Sequence, residues 1–197
     1  MKYLIAIFVT LNFYSNAMAQ NSDKNELPYY EVPKYYNEYT AGTVTARMID
    51  GLGFRYRWAT EDLREEDLKY KVSEDGRTIK ETMEHILGLS WIIVNSTLKE
   101  SNDFTKKRPE LAYNEIRSQT LENFRKASQI LQKTESLDAF NLKFISAKGE
   151  RIYPFWNQIN GPIEDAVWHA GQIVMMRRAS GNPIRSGVSF MMGTVKD

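Results

Sequence analysis

The chain has 197 residues, with 26 lysines and arginines against 25 aspartates and glutamates, and no cysteine. That near-neutral balance gives no electrostatic footprint for nucleic acid or anionic lipid. The missing thiols exclude disulfides and a lipoprotein attachment site. The length suits one domain with a sizeable core of its own.

The first 19 residues read as a secretory signal peptide: Lys2 supplies the positive start, Tyr3 to Phe13 the apolar stretch, and Ala17-Met18-Ala19 a small-x-small cleavage motif. The apolar stretch is short for a membrane span. The expectation is an exported protein, periplasmic or extracellular, cut after Ala19 and free of the membrane once cut. Residues 20–197 carry equal numbers of basic and acidic groups.

Residues 20–39 form a polar and then tyrosine-rich lead-in, with Tyr29, Tyr30, Tyr35, Tyr36 and Tyr39 interrupted by Pro28 and Pro33. Prolines at that spacing disfavour a helix. An extended segment that lays rings on the domain surface is expected, by aromatic packing rather than as a carbohydrate-binding patch. The domain proper is expected over 40–197.

The first helix is expected over Thr40 to Thr60, from Val44, Met48, Ile49 and Leu52 at helical spacing. Gly51 and Gly53 weaken it, each costing about 1 kcal/mol against alanine. The second starts more sharply: Asp75-Gly76 marks a turn, and Thr78 with Glu81 makes a Thr-x-x-Glu capping box for a helix reaching Leu98. A third opens near Pro109 and carries Tyr113, Ile116, Phe124, Ala127 and Leu131 on one stripe. Leu142 to Tyr153 reads as a hairpin turning at Lys148-Gly149. The last helix runs from Pro162 to Ser180, ended by Gly181 and Pro183. The predicted fold is all-α: a four-helix bundle with a short β-hairpin before the last helix.

The chain has two histidines, His85 in the second helix and His169 in the last. Asp165 lies four residues before His169, so carboxylate and imidazole share a helix face. Two imidazoles and a carboxylate are a ligand set for zinc, nickel or iron that leaves coordination positions open. Spacing alone also fits a plain i,i+4 pair and a satisfied core histidine. Gln172, on the face of His169, is placed to hydrogen-bond a ligating imidazole from behind. Glu81 and Glu84 flank His85 and could carry protons, although a solvated helix face accounts for both. Trp91, Trp156, Trp168 and Phe155 could line a pocket or simply fill the core.

A helix with a central histidine, followed about eighty residues later by a final helix containing His169-Ala170-Gly171-Gln172 and then Arg177, resembles the DinB-like (YfiT-like) metal-dependent superfamily. The resemblance spans about Thr40 to Asn182, and its specific segment is residues 160–183. It implies an up-down-down-up bundle holding a divalent metal between helices. The best-known members use three histidines, the last two as His-x-x-x-His. By position His85 matches the first and His169 the last, while Asp165 stands where the middle histidine would be. Aspartate is itself a legitimate ligand for zinc or nickel. Related bundles include transferases and isomerases that use low-molecular-weight thiols, and many with no assigned activity.

The reading that follows is a metal-dependent hydrolase or transferase acting on a small substrate, with His85, Asp165 and His169 holding zinc or nickel and Gln172 behind them. The alternative is a bundle that binds metal or a small molecule without turnover. The expected partners are a small-molecule substrate or ligand and no nucleic acid, with a homodimer allowed.

Overall fold

The computed structural model describes residues 27–196. The signal-peptide reading over 1–19, and the first part of the lead-in, lie outside the described residues. The described chain is mostly helical. Four long helices, α1 (Ala41–Ala59), α3 (Ile79–Leu98), α4 (Tyr113–Leu131) and α6 (Glu164–Ala179), enclose the core. Helix α1 packs on α4 and α6, and α3 packs on the same two.

Helices α4 and α6 each bury one stripe, while α1 is buried nearly all round over residues 52–59 and α3 over residues 86–90. On α3 the buried set includes Ile79, Met83, Ile86, Ser90, Ile93 and Thr97, steps of three and four that keep one face inward. On α4 it is Ile116, Thr120, Phe124, Ala127 and Leu131. Where α1 meets α4, Tyr56 stands edge-on to Phe124 with ring centres 6.2 Å apart.

The start of α3 is as its capping box predicts: Thr78 Oγ1 accepts from the Glu81 amide at 3.1 Å, and Glu81 accepts from the Thr78 amide at 2.8 Å. The start of α4 is not where Pro109 suggests. Residues 104–112 remain outside the helix, which begins only where the Glu115 carboxylate accepts the Ala112 amide at 2.8 Å. Pro109 is therefore a loop residue.

The last helix also differs. A short turn α5 (Trp156–Gln158) and a π-helical turn (Ile159–Ile163) containing Pro162 lead directly into α6. The wider π turn takes the proline, which lacks an amide donor. Gly181 ends the run at φ +82°, the left-handed conformation glycine adopts without strain.

The predicted hairpin forms as β2 (Leu142–Ser146) and β3 (Gly149–Tyr153), with Leu142 opposite Tyr153 and the turn one residue earlier than expected. A strand the sequence did not reveal, β1 (Ser101–Asp103), adds to it in parallel. A second small sheet pairs β4 (Val188–Ser189) with β5 (Thr194–Val195), and the single-turn helix α2 (Glu65–Leu68) lies between α1 and α3. The fold is thus mostly helical with two small sheets rather than purely α. No helix among the described residues is long and apolar enough to cross a membrane.

The lead-in goes deeper than the surface. Tyr29 is only 6% exposed and Tyr36 is half-buried, and both hydroxyls donate to Asp50 inside α1, at 3.2 and 2.7 Å. Burial and the neighbouring carboxylate push the Tyr36 hydroxyl up to about 12. Gly53 is what admits the first ring: a Cβ there would lie 2.4–2.8 Å from the ring atoms of Tyr29. The residue that weakens α1 by propensity makes room for the lead-in.

Candidate metal centre

Helix α3 presents His85 and α6 presents Asp165 and His169 across the interface between the two helices. The imidazole rings stand edge to face with centres 4.5 Å apart. His85 Nε2 lies 3.2 Å from Asp165 Oδ2, and His169 Nε2 lies 3.2 Å from Asp165 Oδ1. One ligand atom from each of the three residues falls within 4.8 Å of the others. The group could hold a metal ion.

The hydrogen bonding behind the site sets its chemistry. His169 Nδ1 lies 2.7 Å from Gln172 Oε1. An amide oxygen only accepts, so Nδ1–H donates to it, and Nε2 is the nitrogen that faces Asp165 and is placed to ligate. Burial holds His85 below the ordinary histidine value; the Asp165 hydrogen bond pulls the other way, and the charges of His169 and Arg77 add to the depression. A neutral imidazole is the form that ligates. His85 Nε2, His169 Nε2 and the Asp165 carboxylate converge on one point, a donor set that fits a cation once both nitrogens are deprotonated.

Two clefts flank this point. One, of about 680 Å³, runs past His169 and Gln172 and is walled by Val72, Trp168, Met175 and Met176. Trp168 is 74% exposed and Met175 62%, so α6 turns apolar side chains outward where a solvated helix would place polar ones. The other, of about 860 Å³, opens beside His85 and includes Glu84, Trp91, Lys107 and Arg108.

The remaining candidates divide. Trp91 and Trp168 line the clefts, Phe155 is buried core, and Trp156 lies in a separate hollow with Glu135 and Asp138. Glu81 is engaged in the cap of α3, and Glu84 pairs with Lys80 at 3.3 Å. Arg177 is buried: it donates to the Trp58 and Ala59 carbonyls at 2.9 and 3.1 Å, closing the end of α1. Sequence reasoning missed Arg77, Lys107 and Arg108 at the clefts. The only signal was the basic run Lys106-Lys107-Arg108, set just before a proline taken as a helix start.

Comparison of the chain with protein-family models, with curated proteins and with solved structures finds no match.

Proposed function

We propose that the chain is an exported DinB-like four-helix bundle whose His85, Asp165 and His169 hold a divalent transition metal, zinc or nickel, and serve a hydrolase or transferase reaction on a small substrate. The observation that carries this reading is the convergence of three ligand atoms within 4.8 Å, with Gln172 fixing the tautomer of His169. The pairwise packing of α1 and α3 on α4 and α6 supports the bundle.

When bound, such a metal supplies Lewis-acid polarisation of a substrate oxygen. The protein's own residues do the rest. His85 and His169 give neutral nitrogens, Asp165 gives the charge, and Gln172 fixes the ring of His169. Trp168, Met175 and Met176 receive an apolar part of the substrate and displace water from it.

One observation favours a second reading, a bundle that binds without turnover. Of the two glutamates on α3 near the site, Glu81 is committed to the helix cap and Glu84 to Lys80, so neither is free to act as a base.

The test is metal content. Protein without affinity-tag histidines, loaded and desalted, should retain about one zinc or nickel per chain, and His169→Ala almost none while keeping its fold. Equal and negligible metal in both proteins would reduce Asp165 and His169 to a helical pair.

A further inference from the structure

The loop between β1 and α4 lays a basic run along the outer face of α3. Arg108 crosses the helix at Gly88, where a Cβ would stand 2.5 Å from its Nη1. Only glycine lets the guanidinium come this close. There it stacks over Trp91, 4.7 Å from the ring centre, with Phe104 at 5.6 Å.

Stacking occupies the flat faces of a guanidinium and leaves its edge N–H donors free. Among the described residues Arg108 has no carboxylate partner, and burial is the sole cause of its lowered pKa. Arg108 is exposed on the cleft side of this stack and makes no side-chain hydrogen bond among the described residues, so its N–H edge is open to an anion that enters the cleft.

Position says which anion. Gly88 is one helical turn from His85, about 5 Å along the axis, and Arg108 and His85 open onto the same cleft. Of the acids on its walls, Glu84 lies 3.3 Å from Lys80, and neither it nor Glu110 makes an ion pair with Arg108. A single planar fork backed by one lysine suits a carboxylate, which it can grip with two parallel hydrogen bonds.

We propose that Arg108 is the anion-recognition residue of this cleft, and that the small molecules the site takes are carboxylates whose other polar end reaches the His85–Asp165–His169 centre. This rests on the metal reading above.

Two probes separate the two ideas: the monohydroxamate of succinic acid, with a metal-binding head and a free carboxylate, and its methyl ester. Titrated calorimetrically into the zinc-loaded protein, the acid should bind at least about ten-fold more tightly than the ester, as expected for a charge-assisted bidentate contact. Arg108→Gln should shrink that preference to about two-fold or less, leaving ester affinity and zinc content unchanged, while Arg108→Lys keeps part of it. Zinc retained with acid and ester bound equally by the wild type, or with the preference intact in Arg108→Gln, overturns the anion assignment and spares the metal centre. A wild type that retains no zinc overturns both.

Discussion

Two carboxylates in this protein each sit between two ring side chains, and they could hardly be more different. Asp50, 1% exposed, takes one hydrogen bond on each oxygen, from Tyr29 and Tyr36. Asp165, with its side chain 39% exposed, also faces a ring on each oxygen, His85 Nε2 and His169 Nε2, both at 3.2 Å. A tyrosine hydroxyl brings a proton of its own, so the Asp50 centre is complete. An imidazole nitrogen can instead give a lone pair when it loses its proton, so the Asp165 centre has a second option, a cation. The first arrangement fastens a segment to the core. The second is a group that could hold a cation and lies open to solvent.

The comparison breaks first at Asp50. Asp50→Ala leaves the buried Tyr29 hydroxyl without its acceptor, at about 1–3 kcal/mol, while the half-buried Tyr36 hydroxyl keeps Ser128 Oγ at 3.3 Å. The expected loss is about 2 kcal/mol in urea unfolding, with no change in metal retention. Asp165→Asn should do the reverse. Its metal-free stability should stay within about 0.5 kcal/mol of wild type, as for other half-exposed positions. What it loses is the stabilisation by metal, about 2.7 kcal/mol at a concentration 100 times the dissociation constant, read as a thermal shift present in wild type and absent in the variant. A large metal-free loss in Asp165→Asn would make the second centre structural like the first.

Gly53 sharpens the Asp50 side. Alanine is the better helix former by about 1 kcal/mol, yet the Cβ would lie 2.4 Å from a Tyr29 ring atom. Overpacking of that kind costs about 1–3 kcal/mol, so Gly53→Ala should destabilise by about 1 kcal/mol net. In a Tyr29→Ala background the clash is gone, and the same substitution should become neutral or stabilising. A double-mutant cycle by urea unfolding that shows simple additivity would mean that ring and helix do not meet as described.

What the sequence disclosed follows the range of each interaction. Thr78 and Glu81 are three residues apart, and the cap they make stands as their spacing predicts. Asp165 and His169 are four apart on one helix, so their shared face was legible too. That His85 completes the cluster was not deducible from spacing, since its 80-residue separation from Asp165 is closed only by the packing of α3 on α6. Tyr35 and Tyr39 lie on the surface as the lead-in's composition suggests, but nothing local marks Asp50 as the partner of Tyr29, 21 residues away, or of Tyr36. Pro109 fits a helix start by local rule, but α4 begins at Tyr113, after the loop that carries Arg108 across Gly88. Local rules could not see a glycine chosen for a long-range approach.

The smallest expected effect is the dependence of metal-free stability on pH, and it belongs to the open centre. Burial lowers the folded-state pKa of His85, the Asp165 hydrogen bond offsets part of this, and the charges of His169 and Arg77 reinforce it. In the unfolded chain the same imidazole takes up its proton near its ordinary value of about 6.5. Between the two values the unfolded state binds more protons, so stability falls as pH is lowered through that interval and is fully present above about 6.5. The Asp67 carboxyl acts in a separate window. Arg64 holds it well below the usual carboxylate range, with Ser180 and Asn182 also donating, against the opposing effect of burial. Its contribution is therefore complete above about pH 4 and disappears only in stronger acid. Urea midpoints measured from about pH 7.5 down to 5.5 should thus decline in wild type and flatten in His85→Gln, while Asp67→Asn leaves that slope alone and lowers the whole curve. Saturating zinc should steepen the wild-type decline, because protons and metal compete for the same nitrogens. An unchanged slope in His85→Gln would show that this imidazole keeps its ordinary affinity for protons, and with it the neutrality that makes the Asp165 centre differ from the Asp50 centre would be lost.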